Sequence, residues 1–123
     1  GERIMATDFH EPPHELSQEA REMRRAIHTL IEELEAVDWY FQRADTTEDE
    51  DLKQILLHNR DEEAEHAAMS LEWIRRHYPK LDEELRTYLF TTGPIVEQEE
   101  EGGHDDASPA SGGDLGIGSQ KGG

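Results

Sequence analysis

Residues 52–77 read LKQILLHNRDEEAEHAAMSLEWIRRH, and their inward positions recur at helical spacing, which predicts a long amphipathic helix. The stripe is apolar at its start and ionisable at its middle, where Glu63 and His66 lie. A carboxylate and an imidazole on one buried face are usually stabilised by each other, by a partner charge or by a metal ion. The metal ion is the most specific of these hypotheses. The stripe consists of Leu52, Leu56, Asn59, Glu63, His66, Ser70, Trp73 and His77.

The composition limits both the size of the fold and the chemistry of any metal site. With 123 residues the chain has room for one small domain, and without cysteine any metal must be bound by oxygen and imidazole nitrogen. The formal charge of −18 argues against nucleic acid or an anionic membrane as a partner. No apolar run is long enough to span a membrane, so we expect a soluble, cytoplasmic protein.

A second amphipathic stripe precedes this one. Apolar residues recur at helical spacing from Leu16 to Phe41 and predict a first helix over roughly 13–44. Pro12 and Pro13 suit its first turn, where a missing N–H is harmless. This helix is long enough to pair with the one that follows.

Short polar breaks separate the helical segments. Thr47 and Glu50 form a capping-box pattern that predicts the start of the second helix, which runs over about 48–77. A shorter third segment covers Leu81–Phe90. Because the turn between the two long helices is short, we expect an all-α fold built on an antiparallel two-helix hairpin.

The ends of the chain differ in composition from the helical domain, which we place at residues 12–96. We expect residues 1–11 to be disordered, and also residues 97–123, where acidic residues precede a stretch rich in glycine and serine. Leu115 and Ile117 form a small apolar island in this tail. In such a low-complexity segment, the island is as easily chance as function.

The first helix supplies a matching inward carboxylate, Glu33. Di-iron carboxylate bundles use one glutamate from each of two helices and a Glu-x-x-His pair from each of the other two. One glutamate and one pair, Glu63 and His66, are therefore half of a dinuclear site, and a two-fold dimer would supply the rest. A carboxylate-rich site with two histidines suits iron better than zinc, and Fe(II) in such a site suits reaction with oxygen.

Less specific interpretations remain open for each of these residues. A lone Glu-x-x-His pair is most often a solvated face or a structural ion pair. Tyr40 is either a hydrogen-bond partner of a ligand carboxylate or a half-buried core residue. Glu32 and Glu35 turn to the far side of the helix, where an acidic face is ordinarily only solvated. The competing function is a non-catalytic helical adaptor or cargo protein that merely binds divalent cations.

Four stretches make the sequence similar to a known family. They are EELEAVDWY at 32–40, HNRDEEAEHAAM at 58–69, LEWIRR at 71–76 and RTYLFTTGPI at 86–95, and they resemble the encapsulated ferritins. The resemblance implies half of a ferritin-like four-helix bundle, completed by dimerisation around a shared di-iron ferroxidase centre. It further implies an open ring of five dimers, a homodecamer, that oxidises Fe(II) to Fe(III) for iron storage.

The same resemblance assigns roles to individual residues. Glu33, Glu63 and His66 match the ferroxidase ligands, Tyr40 matches a nearby tyrosine, and Glu32 and Glu35 match a secondary metal site through which iron enters. The island at 115–119 resembles a peptide that docks cargo inside an encapsulin shell, although Gln120 stands where an apolar residue is often found. The resemblance thus places the protein in the cytoplasm, inside an encapsulin nanocompartment, with the shell protein as its partner.

Overall fold

The computed structural model describes residues 9–99, and within them all regular structure is helical. A short 3-10 turn at Pro13–Glu15 precedes three α-helices: α1 at Gln18–Thr46, α2 at Glu50–His77 and α3 at Pro79–Tyr88. The predicted all-α class with two long helices and a short third is therefore confirmed. In this part of the chain, no helix is both long and apolar enough to cross a membrane.

The start of α1 lies later than the sequence predicts. Pro13 begins the separate 3-10 turn, and extended backbone at Leu16 and Ser17 breaks the chain before α1. The Ser17 hydroxyl accepts a hydrogen bond from the Ala20 backbone N–H at 3.0 Å, which caps the helix. Ser17 is the better start signal because its hydroxyl accepts from a free backbone N–H of the first turn, whereas a proline side chain has no acceptor atom.

The turn between α1 and α2 uses its polar residues differently from the predicted capping box. Asp49, and not Thr47, caps α2: its Oδ1 accepts from the Leu52 N–H at 2.8 Å. Thr47 instead ends α1, and its backbone N–H donates to the Arg43 carbonyl. The predicted cap was wrong because Asp49 directly precedes the first helical turn and is an equally strong capping residue.

Two contacts fix the direction and register of the hairpin. The Ser70 hydroxyl of α2 donates to Glu33 of α1, and the Arg60 guanidinium of α2 lies 4.7 Å from the centre of the Phe41 ring of α1. Moving forward along α1 from Glu33 to Phe41 therefore moves the contact backward along α2 from Ser70 to Arg60. The helices are antiparallel, as predicted.

The hairpin leaves much of its apolar surface uncovered. Among residues 9–99, only Ala44, Ala67 and Ile74 are buried. Along α1, the apolar residues at one set of heptad positions are buried or half-buried: Met23, Leu30, Val37 and Ala44. Those at the other set are exposed, and we call them the outer column: Ala20, Ile27, Leu34 and Phe41. A heptad column of this length is the kind of surface that another helix covers.

The chain forms two compact units that divide between His77 and Tyr78. In the second unit, α3 begins two residues before the predicted start because Pro79 occupies its first turn. The helix is followed by Phe90, whose φ of +64° is unusual for a bulky residue, and by a hydrogen-bonded turn at 94–99. The predicted domain bounds stay a prediction, since most of 1–11 and 97–123 lies outside the described residues.

Candidate metal centre

Glu33 lies on the side of α1 that faces α2. Its carboxylate is half-buried, and Oε1 accepts a hydrogen bond of 2.8 Å from the Ser70 hydroxyl. The bond crosses the hairpin, so it sets the position of the carboxylate relative to both helices. The expectation that Glu33 faces inward therefore agrees with its position in the structure.

Glu63 and His66 form a pair on α2. The His66 Nδ1 lies 3.4 Å from Glu63 Oε1, and the two side chains are 42% and 28% exposed, respectively. The spacing of three residues places both groups on one face of the helix, as the sequence predicts. Because Nδ1 faces the carboxylate, Nε2 is the ring nitrogen left for a metal.

The register of the hairpin separates Glu33 from this pair. Glu33 is level with Ser70, which lies four residues beyond His66 and seven beyond Glu63. At 1.5 Å per residue, these offsets are about 6 and about 10 Å along the helix axis. Among residues 9–99, no three His, Asp or Glu side chains are placed to hold one metal ion. A single chain thus does not bring the three predicted ligands together.

Glu33 and Glu63 differ from most half-buried carboxylates in the partners that surround them. Within residues 9–99, neither has a lysine or arginine partner; their contacts are the Ser70 hydroxyl and the His66 ring. Glu72, farther along α2, is the opposite case: hydrogen bonds from Arg75 and Arg76 lower the pKa of its carboxyl from 4.5 to about 2. A metal cation bound at these two carboxylates would supply the positive charge that no lysine or arginine of residues 9–99 supplies.

Tyr40 lies close to the level of Glu63. The register of the Ser70–Glu33 bond puts Tyr40 opposite Glu63, and that of the Arg60–Phe41 contact puts it opposite Asp61, about 3 Å along the axis from Glu63. Its ring is half-buried, and the Arg43 guanidinium lies 5.4 Å from the ring centre. This position suits a hydroxyl that bonds a ligand carboxylate, which is one of the two roles predicted for it.

The two outward glutamates of α1 lie in a more open setting. Glu32 is 65% exposed, and its Oε2 lies 3.5 Å from His28 Nε2, one turn earlier on the same helix. Glu35 is exposed as well. The structure places both carboxylates on solvent-facing positions of α1 and does not join them to Glu33.

Two contacts of candidate site residues were not predicted from the sequence: Ser70 with Glu33 and His28 with Glu32. Ser70 appeared only as a small member of the inward stripe, because its contact with Glu33 depends on the register of two helices. His28 had a local signal, since it lies four residues before Glu32, a spacing that brings side chains together on a helix. That signal was available from the sequence alone.

Comparison with known proteins places these residues in context. Residues 8–92 match the model of a family described as EncFtn-like. The chain is 58% identical to a ferritin-like protein of Thermotoga maritima, over 92% of this chain and 97% of that protein. It is 54% identical to an encapsulated ferritin-like protein of Rhodospirillum rubrum, over 92% of this chain and 87% of that protein.

Two further similarities cover a smaller share of the chain. A cargo protein of the encapsulin nanocompartment of Myxococcus xanthus, EncC, is 40% identical over 72% of this chain and 73% of its own length. The crystal structure of protein ne0167 from Nitrosomonas europaea superimposes with a TM-score of 0.70 at 61% identity, covering 72% of this chain and 97% of that one. At this identity, the likeness extends beyond the fold to the sequence.

Proposed function

Since the chain belongs to the EncFtn-like family, a group of encapsulated ferritin-like proteins, we propose that it is a ferroxidase. Its substrate is Fe(II), which it oxidises with oxygen at a dinuclear site shared by two chains. The observation that carries this proposal is a pair of half-buried carboxylates on the two arms of one hairpin, Glu33 and Glu63, which have no arginine or lysine partner within residues 9–99.

The dimer follows from the incompleteness of the single chain. Two-fold symmetry would supply a second set of Glu33, Glu63 and His66, which gives the four carboxylates and two imidazoles of a di-iron bundle. The same association would cover the exposed outer column and turn two hairpins into a four-helix bundle. Ligand count and apolar surface thus both support association, and a homodecameric ring of five dimers is the larger assembly we expect.

Each residue has a defined task in this proposal. The carboxylates of Glu33 and Glu63 and the Nε2 of His66 bind the two iron ions and balance their charge. Bound Fe(II) supplies the electrons that oxygen accepts. Tyr40, near the level of Glu63, orients a ligand carboxylate through its hydroxyl. Glu32 and Glu35 bind incoming Fe(II) on the solvent side of α1 and raise its local concentration.

We further propose that the protein works as cargo of an encapsulin shell in the cytoplasm. Support comes from the names of two relatives, one an encapsulated ferritin-like protein and the other an encapsulin cargo protein. The segment at 115–119, which lies outside the described residues, is the proposed docking peptide. Fe(III) produced by the enzyme would then be stored inside the shell.

Aerobic addition of Fe(II) to the purified metal-free protein tests the enzymatic activity. We expect ferric absorbance to grow much faster than in buffer, and Glu63→Ala to abolish the increase, because the two-fold axis removes two ligands at once. An adaptor that only binds cations would give the buffer rate in both proteins. Wild-type rates in the Glu63→Ala protein would refute the assigned site.

Removal of residues 110–123 tests the docking peptide separately. The truncated protein should keep its oxidation rate, because no proposed ligand is lost. It should no longer co-purify with a co-expressed encapsulin shell protein. Undiminished loading into the shell would mean that another part of the chain carries the docking signal.

A further inference from the structure

The hydrogen bond from Ser70 to Glu33 joins a proposed ligand to the opposite helix. Its donor is a short side chain with one rotatable bond before the hydroxyl, fixed on the rigid backbone of α2. Its acceptor is a long, flexible side chain on α1. The 2.8 Å bond therefore restricts the Glu33 carboxylate to a position set by the backbone of α2.

The geometry of the bond leaves room for a metal. A carboxylate has about four lone-pair positions on its two oxygens, and the Ser70 hydroxyl occupies one of them on Oε1. Oε2 and the other lone pair of Oε1 are left for coordination. A hydroxyl carries no charge, so it orients the carboxylate without competing electrostatically with a cation, as an arginine would.

The contrast with Glu32 shows what the bond adds. Glu32 lies beside Glu33 in the chain and is 65% exposed, and its contact in the described part of the chain is with His28 on its own helix. Its carboxylate can take many positions, and binding a metal would require it to lose that freedom. Glu33 has already lost part of it, because Ser70 holds its carboxylate in one place.

We propose that Ser70 is a positioning residue for iron binding, which acts by holding the Glu33 carboxylate in the orientation that the shared site requires. This inference rests on the proposed ferroxidase function. Residues just outside a set of metal ligands typically contribute about 10–100-fold to metal affinity. Ser70 therefore affects the concentration of Fe(II) at which the enzyme works more than its rate at saturation.

A purely structural role for Ser70 makes a different prediction. Alanine has a higher helix propensity than serine, so Ser70→Ala should preserve or slightly raise the stability of α2. If Ser70 only supported the helix, the variant would bind metal as well as the wild type. If Ser70 positions Glu33, metal affinity falls while helicity and thermal stability are kept.

The test uses the full-length, metal-free protein with Co(II) as the probe, because Co(II) binds similar ligands and is not a substrate for oxidation. Native mass spectrometry gives the number of ions per dimer, and calorimetric titration gives the affinity. The variants are Ser70→Ala and the isosteric pair Ser70→Thr and Ser70→Val, which differ only in the hydroxyl. Thr46→Ala, which removes an exposed hydroxyl that bonds its own helix, is the matched control.

We expect about tenfold weaker Co(II) binding in Ser70→Ala and Ser70→Val, and near wild-type binding in Ser70→Thr and Thr46→Ala. With Fe(II), the same two weak variants should show a raised KM and a smaller change in kcat. Circular dichroism should report equal helicity in all five proteins. Rescue by Ser70→Thr would identify the hydroxyl as the active group.

Wild-type affinity in Ser70→Ala and Ser70→Val would overturn the inference, as would equally weak binding in Ser70→Thr and Ser70→Val. The proposed function is judged separately by two ions per dimer in the wild type and their loss in Glu63→Ala. If those hold and Ser70→Ala is unchanged, only the role of Ser70 fails. If the wild type binds no Co(II), both proposals fail.

Discussion

Glu32 and Glu33 are chemically identical neighbours in the chain, yet the structure puts them in different surroundings. Glu33 is half-buried and bonded across the hairpin to Ser70, whereas Glu32 is exposed and lies near His28 on its own helix. One residue along a helix is a rotation of about 100°, so adjacent side chains face different parts of the molecule. The face of the helix, and not the residue type, therefore separates the two proposed tasks.

The largest effect on Fe(II) oxidation should come from replacing Glu33 and Glu32 separately. We expect Glu33→Ala to lower the rate of Fe(II) oxidation by more than about 100-fold. Removing a metal ligand should cost more activity than removing a residue that only orients a ligand, which typically costs about 10–100-fold. Glu32→Ala should retain most of the rate at saturating Fe(II). Stopped-flow absorbance with both variants at equal protein concentration gives the ratio. Equal losses would show that the two glutamates do not have separate tasks.

A second experiment asks whether Glu33 depends on another chain. Leu34, next to it, belongs to the outer column and is 53% exposed. In a dimer that covers this column, Leu34→Asp would lose about 1.5–3 kcal/mol of apolar burial per chain and place a charge in the interface. We expect a shift toward monomer by light scattering, together with loss of Fe(II) oxidation.

Thr29→Asp serves as the matched control for that variant, since it adds the same charge at an exposed position of α1 outside the outer column. It should keep the oligomeric state of the wild type. A Leu34→Asp protein with unchanged size and activity would place the interface elsewhere on the hairpin.

A third, smaller effect concerns the outward side of α1. Changing Glu32 and Glu35 together to alanine should slow oxidation several-fold at low Fe(II), because two charges that attract the cation are removed. The effect should fade at high Fe(II) and at high ionic strength. Two metal ions per dimer should still be found in a crystal structure of the variant soaked in metal. Loss of those ions would show instead that the outward glutamates are ligands of the central site.

The smallest effect is expected at Glu72, the glutamate whose charge is already balanced. Arg75 and Arg76 lower its carboxyl pKa from 4.5 to about 2, so the folded state favours the ionised form. Its contribution to stability is present above about pH 4.5 and is lost as the pH falls toward 2. Because the side chain is 42% exposed, that contribution should be small.

Thermal unfolding of Glu72→Gln and the wild type tests this prediction. The variant should melt slightly lower at pH 7, and the difference should shrink as the pH is lowered from 5 toward 3. Fe(II) oxidation at pH 7 should not change. A large loss of oxidation would mean that a glutamate with its own arginine partners also serves the metal site.

Several features of this fold could be predicted from the sequence because they depend only on neighbours within one helix. The apolar periods predict two long helices, and the same phase puts Glu33 inward and Glu32 outward. The spacing of Glu63 and His66 predicts their contact, which the structure has at 3.4 Å. The N-cap of α2 was harder to predict, since Thr47 and Asp49 are both good capping residues and only one can occupy the position before the helix.

Which residues share a helix face thus follows from local sequence, whereas which faces meet depends on how the two helices pack. The register that puts Glu33 opposite Ser70, about 6 Å from the level of His66, comes from the turn at 47–49 and the packing of α1 on α2. The exposed outer column is likewise visible only once the hairpin has formed. Helix phase follows from 3.6 residues per turn, whereas register depends on side chains that are distant in the chain.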